Sequence, residues 1–459
     1  MSKDLKWQMK LLEESASLDI EVPYSNDTEE ERKITFEYRL TFEANTIAES
    51  KKDVLALPNI SSVAHILLSV YRPKLFEPEK PSIYKFIVNQ VCDGKCEKTI
   101  SRQITFKEYE LKQDVVLLNG KAFFVRAMKI NPFVEKVNET FTDNMYYRAV
   151  YNAKKFGFNA IVAEEPSVFL TESAERFGLF VLQQKDLPRT TITYTEKAVG
   201  ADEDMRFQME QAVRLCGAYD SALNNVSCGA FCVEDYAIFD EFARPTVSAS
   251  AMKAIWASEN ELYICRNGNK VYAFTKADSC QSFVNGHPTG AMDRVAKGIF
   301  VDELPKSFVQ YAVIASAINQ KDAKAFLSPT GKAAKVVFKA EISGRNIDCD
   351  SKDMVPVTAY VLDENGNIDV NYVGDAYFVP YSSAIIRGKI NYTRDVGIGS
   401  DKYGNVVTIE GASEKEQEKY ILPFQAGMAT VLLSARNHSK FTGITVFTEF
   451  GSKTEYLNY

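Results

Sequence analysis

The chain has 459 residues, 46% of them hydrophobic and 25% charged, which is typical of a folded globular protein of about three domains. A net charge of -7 without a lysine-rich run excludes nucleic acid as a partner, and the lack of a long apolar run excludes a membrane partner. Residues 1–22 lack the apolar core of a secretory signal, so we expect a cytoplasmic protein, or a secreted one if a signal peptide has been removed.

Residues 1–115 alternate apolar and polar side chains in short runs, for example at Ile34, Phe36 and Tyr38. Asn, Asp, Gly and Pro residues separate these runs. Alternation with a period of two places every second side chain on one face of a strand. The pattern predicts an antiparallel β-sandwich.

Residues 116–256 follow a different pattern, in which strands and helices alternate. Met145 and Ala149 recur at helical spacing before Gly157, and a second helical run ends before Gly178. Four short apolar runs predict strands, at residues 159–163, 179–182, 190–195 and 226–233. Repeated strand and helix pairs predict a parallel sheet with helices packed on it.

The strands become short again from residue 257 onward. Turns such as Asn285-Gly286 and Asn365-Gly366 separate them. We predict two more β-sandwich domains here, over residues 257–338 and 339–459.

Three stretches of this sequence carry a family resemblance: PKLFEPEKPSIYKFIV at residues 73–88, LLNGKAFFVRAMKINPF at 117–133 and KKFGFNAIVAEEPSVFLTESAERFGLFVLQQ at 154–184. They resemble glycoside hydrolase family 2, the β-galactosidase and β-glucuronidase type of enzyme. The resemblance implies that residues 1–115 form the family's immunoglobulin-like domain and that a (β/α)8 barrel follows. The family's jelly-roll domain has no counterpart before residue 15, so we expect it to be absent.

Weaker matches follow in the order that the family has. Tyr194-Thr195-Glu196 resembles the end of strand seven, where the family places its nucleophilic Glu. The segment from Cys228 to Cys232, with Asp235, resembles strand eight. Residues 277–290 and 356–367 resemble the two sandwich domains that follow the barrel in many members.

The barrel implied by the resemblance is too short. A complete one needs about 200 to 250 residues, and residues 116–256 provide about 140. If residues 179–182 are strand three and 190–195 strand seven, strands four to six are missing with their helices. We therefore predict a multidomain β plus α/β fold: an immunoglobulin-like β-sandwich, an incomplete (β/α) TIM-type barrel remnant and two further β-sandwich domains.

The retaining mechanism of this family needs two carboxyl groups about 5 to 5.5 Å apart. Glu196 matches the family's nucleophile and is the candidate catalytic residue. The acid/base Glu follows an Asn at the end of strand four, and no Asn-Glu pair occurs between residues 180 and 195. Four acidic residues are predicted at the carboxyl ends of other strands, where a TIM-type protein binds its substrate or where a solvated acidic rim would lie: Glu164, Glu165, Glu234 and Asp235.

We expect neither a metal nor a cofactor. Metal-ligand spacing is missing from the three histidines and from two cysteine pairs: His65, His287, His438, Cys92 with Cys96, and Cys228 with Cys232. No glycine-rich phosphate loop occurs either.

Three functions stay open at this point. The leading hypothesis is a pseudoenzyme that binds carbohydrate or serves as a scaffold or partner subunit. A sheet that lacks three strands has open edges, which a homo-oligomer or a protein partner would cover. The alternative is an active retaining exo-β-glycosidase with Glu196 as nucleophile and the acid/base supplied elsewhere. The third is a structural component that assembles into open arrays.

Overall fold

A computed structural model describes most of the chain. The described residues are 5–112, 114–134, 139–197, 200–201, 204–224, 229–240, 242–348, 352–387, 397–400, 406–409, 420–436 and 442–457. Cys228 and His438 lie outside them. The residue contacts divide the chain into two compact units, residues 1–124 with 166–181 and residues 125–165 with 182–459. The four-domain division predicted above stays a prediction.

Ten strands lie in the described part of residues 1–124: β1 (Lys6–Leu11), β2 (Ser15–Asn26), β3 (Arg32–Phe42), β4 (Asn45–Ala56), β5 (Ile60–Tyr71), β6 (Tyr84–Cys92), β7 (Lys95–Ile104), β8 (Tyr109–Lys112), β9 (Val115–Leu118) and β10 (Lys121–Ala122). They form antiparallel sheets in the orders β1-β2-β5, β4-β3-β6-β7 and β10-β9-β8. Alternate side chains of β2, such as Leu18 and Ile20, and of β3, such as Ile34 and Phe36, enter one hydrophobic core. The first two sheets therefore form a β-sandwich.

Strands and helices alternate in the next part of the chain: β11 (Val125–Lys129), β12 (Phe133–Val134), β13 (Glu139–Thr140), α1 (Asp143–Lys155), β14 (Ala160–Val162), α2 (Val168–Arg176), β15 (Phe180–Leu182), β16 (Ile192–Tyr194), α3 (Met205–Asn224), β17 (Ala230–Glu234) and α4 (Val247–Trp256). Two short 3-10 helices lie at Gln184–Asp186 and Asp235–Ala237. Of the strand predicted at residues 226–233, residues 226–228 lie outside the described part of the chain, and the described strand is β17, Ala230–Glu234.

A parallel sheet organises this part of the second unit, with the strand order β14-β11-β17-β16. The strand β15 ends beside it, where the backbone N–H of Ala163 donates to the carbonyl of Leu182 at 3.1 Å. All residues of β14 and β17 are buried, as expected for parallel strands that are covered on both faces. On one face, Phe231 packs against Tyr219 of α3, with ring centroids 5.3 Å apart.

Eight strands follow: β18 (Tyr263–Asn267), β19 (Lys270–Phe274), β20 (Ser279–Val284), β21 (His287–Ala291), β22 (Asp293–Ala296), β23 (Ile299–Glu303), β24 (Tyr311–Ser316) and β25 (Ala323–Leu327). They form two antiparallel sheets, β18-β19-β23-β22 and β21-β20-β24-β25. Val271 and Phe300 from one sheet share a hydrophobic core with Tyr311 and Val313 from the other.

The remaining described strands are β26 (Ala333–Ala340), β27 (Val355–Asp363), β28 (Asp375–Ser382), β29 (Ala384–Arg387), β30 (Gly397–Ser400), β31 (Val406–Ile409), β32 (Tyr420–Pro423), β33 (Met428–Ala435), β34 (Thr442–Thr448) and β35 (Gly451–Leu457). Two four-stranded sheets, β26-β27-β33-β29 and β32-β28-β34-β35, enclose a core that includes Val357, Phe378 and Val431. We call this pair of sheets the C-terminal sandwich. The predicted fold class is confirmed, because the described elements form β-sandwiches and a parallel sheet with few helices. Among the described residues, the helices are too short or too polar to cross a membrane.

Candidate functional site at the carboxyl ends of the parallel strands

The predicted site residues meet at one edge of the parallel sheet. Glu164 and Glu165 follow β14, Glu196 follows β16, and Glu234 is the last residue of β17, directly before Asp235. Strands that run in the same direction bring their carboxyl ends to the same edge, so strand position alone explains this grouping. Whether these residues contact a substrate stays a prediction.

Glu234 forms an ion pair across the sheet. It lies opposite Lys129 in the register of β17 and β11, and Lys129 Nζ lies 3.0 Å from Glu234 Oε1. The hydrogen bond to Glu234 raises the pKa of Lys129. The side chain of Glu234 is only 9% exposed and that of Lys129 is 31% exposed, so Lys129 neutralises a largely buried carboxylate.

Glu196 is held by two partners. Arg214 of α3 donates through Nε to Glu196 Oε2 at 3.0 Å and through a terminal nitrogen to Oε1 at 2.5 Å. The hydroxyl of Tyr194 also donates to Oε2, at 2.6 Å. These hydrogen bonds, that of Arg214 first, lower the pKa of Glu196. The carboxyl group is therefore ionised and its oxygens are occupied by donors.

Among the described residues, the groups that shift the pKa of Glu196 are Arg214 and Tyr194, together with burial. The acidic residues Asp202 and Glu203 lie outside the described residues. Glu164 is exposed, and its backbone carbonyl accepts a hydrogen bond from the side chain of Gln183 at 2.9 Å. Glu164 and Glu196 thus lie at the same edge of the sheet but have different hydrogen-bond partners.

Asp235 has the opposite electrostatic setting to Glu196. Its Oδ2 accepts from the backbone N–H of Asn131 at 2.9 Å, and its Oδ1 accepts from the backbone N–H of Tyr236 at 2.7 Å. Burial raises the pKa of Asp235 to about 7, because the loss of solvation outweighs these two hydrogen bonds. Near neutral pH this carboxyl group exchanges between its neutral and charged forms.

A cavity of about 330 Å³ lies beside Asp235. Its walls come from the end of β11, from α1, from the segment that follows β17 and from the C-terminal sandwich. Most of the lining is apolar, and its larger members are Phe133, Phe141, Met145, Phe239, Phe242 and Met354. Sequence reasoning missed this cavity, because α1 and residue 354 are about 200 positions apart and no local pattern links them.

Buried polar contacts hold the walls of the cavity together. Arg148 of α1 contacts both carboxyl oxygens of Asp353, at 2.6 and 2.8 Å, and donates to the carbonyl of Met354 at 3.0 Å. Arg244 contacts Asp240 at 2.7 Å and the hydroxyl of Thr430 at 2.8 Å. The helix α1 and the segment after β17 are therefore fixed to the C-terminal sandwich.

No metal centre is found in the described part of the chain, since it holds no group of three His, Cys, Asp or Glu side chains that could bind one. His65 is exposed on β5, with its Nδ1 2.9 Å from Asp19 Oδ1, and His287 is exposed on β21.

The comparisons with known sequences give a partial match. Residues 3–107 match the family model for glycosyl hydrolases family 2. The β-galactosidase of Pectobacterium atrosepticum is 23% identical over 127 residues, which is 27% of this chain and 12% of the relative. The β-galactosidase of Photobacterium profundum is 24% identical over 123 residues, 26% of this chain and 12% of the relative. The matched stretch thus spans about one eighth of these curated relatives.

Solved structures match over the whole chain. A β-glucuronidase from glycoside hydrolase family 2 has a TM-score of 0.76 at 12% identity, over 100% of this chain and 62% of that one. A family member from Bacteroides cellulosilyticus DSM 14838 has a TM-score of 0.71 at 13% identity, over 99% and 78%. A β-glycosidase from Bacteroides vulgatus has a TM-score of 0.70 at 11% identity, over 100% and 79%.

The chain therefore shares its fold with these solved structures. Residues 3–107 match the model of glycosyl hydrolases family 2, so the predicted resemblance to glycoside hydrolase family 2 is confirmed.

Proposed function

We propose that this chain is a glycoside hydrolase family 2-like protein that has lost hydrolysis and acts by binding, as a carbohydrate-recognition protein, a scaffold or a partner subunit. The order of the parallel strands carries this proposal. In a closed eight-stranded barrel, strand one pairs with strands two and eight. Here β11 pairs with β14, which follows it, and with β17, which comes about 100 residues later. β16 lies beyond β17, where strand seven would be.

The three strands that would close such a barrel have no room between β15 and β16. Nine residues, 183–191, join these two strands, whereas one β-α-β crossover already takes about 10 to 12. In the family that this chain resembles, the acid/base Glu comes from the end of strand four. We infer that the deletion removed it.

The setting of Glu196 fits the loss of catalysis. A nucleophile must attack the anomeric carbon while a second carboxyl group protonates the leaving oxygen. Arg214 and Tyr194 occupy both oxygens of Glu196, and a lone ionised carboxylate cannot also act as the acid. We therefore propose that Glu196 orders the end of β16 through α3.

The edge position of β16 supports a role in association. Within the described part of the chain, β16 is the last strand of the parallel sheet, and an edge strand presents unpaired backbone groups to a partner. A second copy of the chain or another protein would cover this edge. Carbohydrate recognition would use the acidic edge formed by Glu164, Glu165, Glu234 and Asp235.

A second candidate function is an active retaining exo-β-glycosidase, of the kind named β-galactosidase or β-glucuronidase among its relatives. The observation that favours it is the lowered pKa of Glu196, because a nucleophile must be ionised at neutral pH. It needs an acid/base residue from another part of the chain or from another chain.

Hydrolysis of nitrophenyl β-galactoside, β-glucuronide, β-mannoside and β-glucoside separates the two functions. We expect no turnover by the parent chain. Turnover that Glu196→Gln abolishes, and that Glu210→Gln at an exposed position of α3 leaves intact, would establish the glycosidase instead. Calorimetric titration with galactose and glucuronic acid, together with light scattering, then tests sugar binding and self-association.

A further inference from the structure

The cavity beside Asp235 has the size and shape of a small-molecule site. Its volume is about 330 Å³, within the usual range of about 300 to 1,000 Å³ for ligand pockets. At about 30 Å³ per water molecule, it has room for a ligand of roughly ten non-hydrogen atoms. The aromatic rings of Phe133, Phe141 and Phe239 give it an apolar wall.

Most charges in the lining are paired with one another or with a neighbour, and Asp235 differs from them. Arg148 is bound to Asp353, Asp240 to Arg244, and Glu341 to Lys339. Lys197 occupies an exposed position of the lining. Among the described residues, the hydrogen bonds of the Asp235 carboxyl group come from the backbone N–H groups of Asn131 and Tyr236.

Two more charges act on Asp235 from the sheet. Glu234 and Lys129 act on it with opposite signs, and they form the ion pair described above. Because Lys129 is paired with Glu234, within the described part of the chain Asp235 is a carboxyl group without a cation of its own, next to the aromatic side chains of the lining. Aromatic faces and a desolvated carboxylate both attract organic cations.

We propose that this cavity binds a small organic ammonium ion, whose apolar body packs against the aromatic wall and whose nitrogen pairs with Asp235. The cavity shares Asp235 with the acidic edge proposed above for carbohydrate recognition, whereas Glu196 lies outside its lining. Binding of the ammonium ion therefore does not depend on whether Glu196 is active.

The proposal predicts that binding of the ammonium ion releases a proton. A cation within about 4 to 6 Å stabilises the charged form of a carboxyl group. The ligand therefore binds the ionised form of Asp235 and releases a proton where the empty site is protonated, below about pH 7. The affinity for the cation rises about tenfold between pH 6 and pH 8, because the ionised fraction of a group with a pKa near 7 rises by that factor.

Isothermal titration calorimetry with three probes of similar size tests this. The probes are 2-phenylethylammonium, the neutral 2-phenylethanol and the anionic 3-phenylpropionate. At pH 8 we expect the ammonium ion to bind at least tenfold more tightly than the other two. At pH 6, titrations in buffers of different ionisation enthalpy should show about one proton released per ammonium ion bound.

Three variants test whether the preference for the ammonium ion and its pH dependence arise in this cavity. Asp235→Asn keeps the shape of the side chain and should abolish both the preference for the ammonium ion and the pH dependence. Glu196→Gln, at the same sheet edge but outside the lining, should change neither. Phe133 is 40% exposed, so Phe133→Leu tests the aromatic wall without disturbing a core, and we expect a severalfold loss of ammonium affinity.

Equal affinities for the ammonium ion and the alcohol at pH 8 would overturn the proposal. So would the absence of heat with all three probes at millimolar concentration, or full retention of the ammonium preference in Asp235→Asn.

Discussion

Two carboxyl groups at the same sheet edge have pKa values shifted in opposite directions, and the cause is local in each case. Glu196 is partly exposed and accepts hydrogen bonds from a guanidinium group, so its pKa falls. Asp235 accepts only from neutral backbone donors among the described residues, and partial burial desolvates its carboxyl group, so its pKa rises. A similar position in the fold therefore does not imply a similar protonation state.

Asp235 should make the protein less stable at higher pH. Its pKa is about 7 in the folded chain, against about 3.9 in an unfolded one. Between these values the folded state binds more protons, so the free energy of unfolding decreases as the pH rises and reaches its lowest level above pH 7. We expect Asp235→Asn to be more stable than the parent at pH 8, by on the order of 1 to 2 kcal/mol, and to lose this advantage towards pH 4.

Trp256 provides the measurement, because the chain has only 2 Trp residues and Trp256 is buried in the second unit. Urea unfolding would be followed by its fluorescence in a Trp7→Phe background, at pH 5 and pH 8. Glu164→Gln, which removes an exposed carboxyl group at the same sheet edge, is the control and should leave the pH dependence unchanged. If Asp235→Asn were less stable than the parent at pH 8, the predicted direction of the stability change would be wrong.

At the scale of the elements, two helices, α1 and α2, are followed by a glycine with a left-handed backbone. Gly157 follows the last turn of α1 and Gly178 that of α2, both with positive φ, of 86° and 73°. At Gly178 an added Cβ would lie 1.9 Å from the carbonyl oxygen of Pro78, whereas at Gly94, with φ of 74°, it would meet nothing within 4 Å. The two positions share the backbone conformation and differ in the space around it.

We therefore expect Gly94→Ala to cost about 1 kcal/mol, the ordinary penalty of a left-handed backbone for a residue with a Cβ. Gly178→Ala should cost at least about 3 kcal/mol, because the backbone of Pro78 must also move. Both glycines belong to the first unit, so scanning calorimetry can compare their effects on the same transition. Equal losses in the two variants would show that the close contact with Pro78 relaxes without cost.

The elements could be predicted from the sequence where their signals are local. Helical spacing before Gly157 and Gly178 indicated α1 and α2, and alternation indicated β2 and β3. The pairing of β11 with β17 joins residues about 100 positions apart, and only the family resemblance indicated it. The cavity and the ion pair of Arg148 with Asp353 depend on side chains about 200 positions apart, for which a single sequence has no local signal.

At the scale of the whole molecule, buried charges join two parts of the second unit. The side chains of Arg148 and Asp353 are 7% and 0% exposed. Asn144 of α1 also donates to Asp353, at 3.1 Å, and the hydroxyl of Ser434 on β33 donates to the backbone carbonyl of Asp353 at 2.8 Å. A contact network of this kind links the stability of α1 to that of the C-terminal sandwich.

Arg148→Met should therefore loosen both parts together. It leaves the carboxylate of Asp353 buried without its cation, which typically costs about 3 to 5 kcal/mol. Hydrogen exchange should show lost protection in α1 and, at the same time, in β27 and β33.

The control is Arg214→Met, which breaks the exposed pair with Glu196. It should cost less than about 1 kcal/mol and leave α1, β27 and β33 protected. The double variant Arg148→Met with Asp353→Asn should regain part of the loss, because no unpaired charge stays buried and the side-chain oxygen at position 353 can still accept from Asn144. Lost protection confined to α1 would mean that the C-terminal sandwich holds its structure independently of the ion pair.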